Sequence, residues 1–446
     1  MKFSFKKIFL PFLFLWIFSC SQKINDYSLD KKEQKCRTSA LKIQQEIQKV
    51  NEKKMLAFEE FFSNLSDEQK VSQLFIENIE GDTVYVPVEK TTSLYEFQSS
   101  NETKPLIPGG YLFFSFNLKE NPKEIMRFTN SIKKLCYEKN LVPPFLSIDQ
   151  EGGYVNRLKI VSGPLPSQEK VAKHLSVEQA FKLYSTQAKQ MKALGFDMNL
   201  APVVEVCTQE NKDFLDGRSF GSISDVEKYG KACVNAYELN GIGTVLKHFP
   251  GNSNTDPHSG LPEINLSILE LEKLLLPFEK VLSLNPTGVL MSHARTTAID
   301  GKNPACFSKE WIVENLRKQK GFKGIVFSDD IFMAALAKNG YPPETAAINA
   351  IEAGINCIMI SEKRFAAPAY AILKKMYSDS NFLELVNGSA KKVLMYKLSC
   401  GILSYSCDEN GVWKVEIPFE NIDFEKKLND FNLARNENID LYTDLF

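Results

Sequence analysis

The sequence predicts an α/β chain organised as a (β/α)8 barrel of the TIM type, and three observations carry that expectation. Short runs rich in Val, Ile, Leu and Phe, bounded by Gly or Pro, recur along the chain: Gln73–Ile76, Gly110–Phe114, Phe145–Ile148, Asn199–Val204, Thr244–Leu246, Gly288–Met291, Gly324–Phe327 and Cys357–Ile360. Helical patterns lie between them, among them Pro122–Glu138, Ser176–Leu194, Asp225–Leu239 and Leu266–Leu282. Successive runs begin about 32 to 55 residues apart, room for one strand, one helix and two loops. Near-continuous apolar strands belong to a parallel sheet covered on both faces, and eight units is the barrel number. A doubly wound open sheet fits less well, because no G-x-G-x-x-G follows the first run.

The elements divide the chain in order. Residues 1–20 read as a signal peptide: Lys2, Lys6 and Lys7 precede the apolar run Ile8–Phe18, and Ser19-Cys20 follows. The run is shorter than the roughly 20 residues a membrane-spanning helix needs. Ser19-Cys20 resembles a bacterial lipobox, so Cys20 is expected to carry lipid and to tether an exported protein to a membrane surface; an ordinary cleaved leader is the alternative. Residues 21–60 are polar and Lys/Glu/Gln-rich, a linker with a helical stalk near Ala40–Phe62. The barrel is expected over 61–400. An extension of 401–446 follows, with a hairpin around Asn410-Gly411 and a polar tail lacking a legible motif.

Composition excludes several classes. The chain has 446 residues, 43% hydrophobic and 24% charged, with a net charge of −1. Wholesale disorder and fibrous repeats are out, and the charge balance gives no broad footprint for nucleic acid. Of its 9 cysteines, none forms a C-x-x-C pair, which argues against a structural zinc site. Most sit in apolar runs as buried thiols, and Cys400 with Cys407 is the one close pair able to bridge.

In a barrel, chemistry belongs where strands end. After Phe145–Ile148 come Asp149, Glu151 and Arg157. Arg218 lies in the loop after the fourth run, and Lys247, His248, Asp256 and His258 follow the fifth. His293 follows the sixth, Asp329 and Asp330 the seventh. Taken singly, such groups are often structural; an Asp after a strand commonly caps the next helix. Their convergence on one rim, with three of the 4 histidines among them, points to a catalytic or binding site.

These strings also carry a resemblance. "SDEQKVSQLFI", "IDQEGGYVNRL", "NLAPVVEV", "GRSFG", "KHFPG" with a downstream D-x-H, "VLMSHA" with "PACFS", and "GFKGIVFSDDIFMAA" resemble, in order, the β-N-acetylhexosaminidases of glycoside hydrolase family 3. The resemblance implies a retaining exo-β-N-acetylglucosaminidase without metal or cofactor, acting on a small GlcNAc-terminated glycan such as a peptidoglycan fragment or chito-oligosaccharide. It implies Asp329 as nucleophile and His258, paired with Asp256, as acid/base. Asp149, Arg157, Arg218, Lys247 and His248 would hold the sugar. An imidazole titrating near about 6.5 can give and take the proton near neutrality, and a carboxylate beside it orients the ring. Rival readings are a β-glucosidase or phosphorylase of the same fold and a glycan-binding surface lipoprotein. The sequence departs from the family pattern in a shortened Lys247–His258 segment, in Asn252 and Tyr154, and in Asn356, where Asp is common and a change of rim charge is expected.

Overall fold

The computed structural model describes residues 31–85, 106–255, 260–361 and 365–442. The leader and Cys20 therefore lie outside the described residues, as do Asp256 and His258. Contacts divide the chain into a unit ending at Leu56 and a unit running from Ala57 onward. Described residues of the first unit form most of one helix, Lys31–Ser63. No helix among the described residues is long and apolar enough to cross a membrane.

The second unit is the barrel. Its strands are β1 (Phe75–Asn78), β2 (Gly110–Phe113), β3 (Phe145–Ile148), β4 (Met198–Asn199), β5 (Gly243–Phe249), β6 (Gly288–Met291), β7 (Ile325–Ser328) and β8 (Ile358–Ile360). All pair in parallel, in the ring order β7-β6-β5-β4-β3-β2-β1-β8. A parallel bridge from Phe327 to Cys357 joins β8 to β7 and closes the ring. The fourth strand is shorter than its apolar run, Asn199–Val204. Pro202 has no N–H to give to a ladder, and Val203 retains only a single bridge, to Lys247.

Two rings fill the barrel's interior, Phe145 and Phe327, edge to face with centroids 6.3 Å apart. Glycine on the neighbouring strand makes room for each. A Cβ on Gly110 would stand 2.1 Å from the Phe145 ring, and one on Gly288 would stand 2.6 Å from the Phe327 ring. Ile76, Leu112, Met198, Val245, Leu290 and Met359 complete this inner core, while a larger apolar layer packs the strands' outer faces against the helices. Sequence-encoded caps set the helix starts. Ser176 and Ser267 form capping boxes with Gln179 and Glu270, and Asn121 caps a helix with Pro122 in its first turn.

Beyond Gly401, Ser404–Cys407 pairs antiparallel with Trp413–Glu416, a hairpin turning through Asn410-Gly411. A helix over Phe424–Tyr442 follows and packs on Val177–Leu194 and Pro122–Glu138. Its buried stripe is Phe431, Ala434 and Asn438; the Asn438 Oδ1 accepts from the Thr186 hydroxyl at 2.8 Å. The disulfide considered between Cys400 and Cys407 is not formed, and both are free thiols. Cys400 caps a helix end, whereas Cys407 is exposed on the hairpin.

Asn356 also differs from expectation. It precedes β8, at the end of the barrel opposite the strand tips, where its Oδ1 accepts from Arg317 Nη2 at 2.6 Å and from the Val326 amide at 3.0 Å. It therefore does not alter the charge of the rim.

Lys397 lies in the helix Ser380–Ser399, fully buried, with Nζ 2.6 Å from Gln73 Oε1. Burial pushes its pKa down to about 7, which the nearby Cys136, Cys357 and Cys400 only partly offset. In the unfolded chain a lysine titrates near about 10.4. Between those two values the unfolded state binds the extra proton, so this group makes stability rise with pH, and its full penalty is present below the folded value. Lys397→Met removes that term. The unfolding free energy of the variant minus that of wild type, from urea titrations, should be larger (the variant relatively more stable) near about pH 7 than near about pH 10. A difference independent of pH would contradict the assignment.

Candidate active site

The rim at the strand tips is built around one ion cluster. Asp149 follows β3 directly, and the chain then forms a small hairpin, Gln150–Gly152 against Val155–Asn156. Gln150 anchors it: its amide donates to Asn199 Oδ1 at 3.0 Å, and its side chain bonds Asn156 and the Leu158 amide. Alternation along the hairpin then presents Glu151 to the cluster.

Lys247 Nζ, from β5, stands 2.6 Å from both Asp149 Oδ1 and Glu151 Oε1. Arg218, from the loop after β4, grips Glu151 with two parallel bonds, Nε to Oε2 at 2.8 Å and Nη2 to Oε1 at 2.9 Å. Its guanidinium also lies over the Phe214 ring. Burial alone would raise the Glu151 pKa, but Lys247 and Arg218 hold it well below the usual carboxylate range. Burial likewise disfavours the Lys247 cation, and Asp149 and Glu151 more than compensate. Two cations and two anions share the site.

Beside this cluster, His248 Nδ1 lies 2.6 Å from Glu205 Oε1, which also accepts from the His248 amide at 3.3 Å. A carboxylate at Nδ1 favours a hydrogen there and leaves Nε2 as the free face of the ring. Phe214 packs edge-on against the imidazole. Arg157 lies over the Phe114 ring at the end of β2; its Nε is buried with no hydrogen-bond partner among the described residues.

Asp329 stands at the tip of β7. Its amide donates to Met291 O at 3.2 Å, and its Oδ1 accepts from the Asp330 amide at 2.8 Å. Burial works against its charge. His293, His248, the Asp330 amide and Lys247 outweigh that, so its pKa falls below the ordinary Asp value. Asp330 has a different environment. Its Oδ1 accepts from the Phe332 and Ser361 amides at 3.0 and 3.2 Å, and the Ser361 hydroxyl bonds Oδ2. Burial raises its pKa. One carboxylate is thus ionised with Oδ2 uncommitted among the described residues, while its neighbour ties β7 to β8.

The structure therefore brings together Asp149, Lys247 and Arg218, and sets Asp329 within electrostatic reach of Lys247 and His248. Arg157 directly follows the hairpin after β3. Sequence reasoning placed Glu151 on the rim but gave it no part in catalysis or in holding the sugar, although it is the cluster's centre, and it missed Glu205 altogether. Both are carboxylates just past a strand run, the positional signal that singled out Asp149 and Asp329. Among the described residues no group of three or more His, Cys, Asp or Glu side chains is placed to hold a metal ion.

Comparison with known proteins adds a second line. The model of the glycosyl hydrolase family 3 N terminal domain matches residues 69–395. Beta-hexosaminidase A of Pseudoalteromonas piscicida is 30% identical over 280 residues, 56% of this chain and 45% of that protein. The chain thus spans less than half the length of this relative. A beta-hexosaminidase of Nitrosomonas eutropha is 29% identical over 279 residues, covering 60% of this chain and 78% of that protein. Among solved structures, a beta-N-acetylhexosaminidase from Beutenbergia cavernae shares the fold, with a TM-score of 0.62 at 24% identity over 76% of this chain and 99% of that one.

Glu151 is buried between two cations, whereas Asp149 is partly exposed and shares only the lysine. Glu151→Leu leaves both cations short of charge and should cost about 3–5 kcal/mol of stability in urea unfolding. Asp149→Asn should cost clearly less. Equal losses would contradict the picture of Glu151 as the cluster's centre.

Proposed function

The chain belongs to glycosyl hydrolase family 3, and on that footing we propose that it is a retaining exo-β-N-acetylglucosaminidase. It removes terminal GlcNAc from peptidoglycan fragments or chito-oligosaccharides. The observation that carries the reading is the Asp329 carboxylate, ionised at the β7 tip and flanked by the cationic and hydrogen-bonding wall of β5.

A retaining mechanism needs a nucleophile and an acid/base on either side of the glycosidic bond, with an oxocarbenium-like transition state between them. Asp329 fills the first role. The Asp330 amide holds Oδ1, so Oδ2 attacks the anomeric carbon and forms the glycosyl ester. As that bond forms, the bond to the aglycone breaks, and its oxygen takes a proton from His258, whose ring Asp256 orients. In the second half-reaction His258 removes a proton from water, water attacks the anomeric carbon, and Asp329 leaves as carboxylate.

The sugar is held by groups with bonding capacity to spare. Lys247 uses two of its three N–H donors on Asp149 and Glu151, and Arg218 uses two of five on Glu151. The remaining donors, Arg157, the free face of His248 and the partly exposed Asp149 carboxylate take the hydroxyls and the acetamido group. The apolar run Ile8–Phe18, preceded by Lys2, Lys6 and Lys7 and followed by Ser19-Cys20, supports export with a lipid anchor at Cys20 and a reaction at a membrane surface outside the cytoplasm.

Asp329→Asn should lower kcat on an aryl GlcNAc glycoside by about 10³-fold or more. Its affinity for GlcNAc, by calorimetry, should stay within about threefold. Proton NMR of the wild-type reaction should show the β anomer of free GlcNAc first. An α anomer first, or an active Asp329→Asn enzyme, would overturn the scheme. His258→Gln should slow substrates with poor leaving groups far more than nitrophenyl glycosides, which need little protonation; equal slowing would remove His258 from the acid/base role.

A further inference from the structure

A buried pair next to the nucleophile, His293 and Cys306, has no part in the scheme above. His293 is 1% exposed and Cys306 is 0% exposed. The imidazole Nδ1 lies 3.2 Å from Cys306 Sγ, and Nε2 lies 3.0 Å from the Asp330 carbonyl oxygen. A carbonyl oxygen only accepts, so Nε2 carries a hydrogen whatever the charge on the ring. Nδ1 then depends on the thiol. Sulfur suits either state: S–H donates to a bare Nδ1, and a sulfur lone pair accepts from a protonated one.

The backbone keeps the thiol in place. The Cys306 amide donates to Ser292 O at 3.1 Å and the Ala305 amide to Ala294 O at 2.9 Å, so this segment is stitched to both neighbours of His293. Residue 330 is gripped at each end. His293 holds its carbonyl, and its own amide donates to Asp329 Oδ1 at 2.8 Å. Burial, with the nearby Asp329 carboxylate, pushes the Cys306 thiol pKa well up, which keeps the sulfur protonated.

We propose that Cys306 is a positioning residue for Asp329: it fixes the His293 ring at Nδ1, so that Nε2 holds residue 330 and, through its amide, the attacking carboxylate. The hydrogen-bond chain Cys306–His293–Asp330–Asp329 rests on the functional reading only in naming Asp329 the nucleophile. Without the thiol, the ring is held at one nitrogen instead of two and is free to turn about its χ2. A carboxylate displaced by even a fraction of an ångström loses rate without losing substrate affinity.

The test is imidazole ¹⁵N NMR on histidine-labelled full-length protein, together with kinetics of Cys306→Val and Cys306→Ser. The wild type should show a protonated Nε2 on His293 and an Nδ1 signal displaced by a hydrogen bond; Cys306→Val should lose that displacement. Its kcat on an aryl GlcNAc glycoside should fall about tenfold with KM within about twofold, and Cys306→Ser, which still donates and accepts, should recover most of the loss. A bare Nε2 in the wild type, an undiminished kcat in Cys306→Val, or an equal loss in both variants would overturn the proposal. If Cys306→Val does not fold, the wild-type spectrum decides the matter together with Cys306→Ser. A wild type inactive on every GlcNAc glycoside counts against the functional reading alone, because the spectrum judges the hydrogen-bond chain without turnover.

Discussion

Charge buried at the mouth of a barrel must find partners on neighbouring strands, and that requirement organises the whole rim. Lys247 cannot stay cationic inside β5 without the carboxylates that follow β3, and Glu151 cannot stay anionic without Lys247 and Arg218. The pairs thereby cross-link the tips of β3 and β5 and the loop after β4. Glu205, from the segment after β4, does the same for His248. Breaking any one partner leaves an uncompensated charge in a dry place, so the geometry of this side of the bowl is over-determined.

The opposite side follows different rules. The two adjacent carboxylates at the β7 tip are separated by their hydrogen bonds. Asp330 is saturated by donors from Phe332 and Ser361 and works as a tie to the chain after β8. Asp329 receives a single backbone donor and is kept ionised largely by more distant charge. A carboxylate that is charged yet sparsely bonded is the form a nucleophile requires, because each hydrogen bond to its oxygens would have to be loosened for attack.

Much of this was legible in the sequence because a parallel barrel makes strand position and chemistry the same question. Phe145–Ile148 and Gly288–Met291 are apolar runs cut off sharply by Pro, Asp or Gly-rich turns, and they are the strands as observed. Where the run and the ladder diverge, a covalent fact explains it: Pro202 has no amide hydrogen, so the regular fourth strand is confined to Met198–Asn199 and Val203 keeps a single bridge, to Lys247. The helix Phe424–Tyr442 escaped notice because its buried stripe is Phe431, Ala434 and a hydrogen-bonded Asn438, which reads as polar. Asn356 was placed on the rim although it begins a strand rather than ending one. Glu151 and Glu205 were undervalued because a buried glutamate's importance lies in its partners, and those come from residues some 43 to 96 positions away in sequence.

In the proposed scheme a hexose ring bridges Asp329 and an imidazole acid/base and becomes covalently attached to the enzyme midway. The most direct measurement is mass spectrometry of the protein after reaction with a slow fluorinated GlcNAc donor, followed by proteolysis to locate the attached sugar. The account predicts a glycosyl ester on Asp329. A label on Asp330 or on another side chain, or turnover through an enzyme that never becomes labelled, would contradict it.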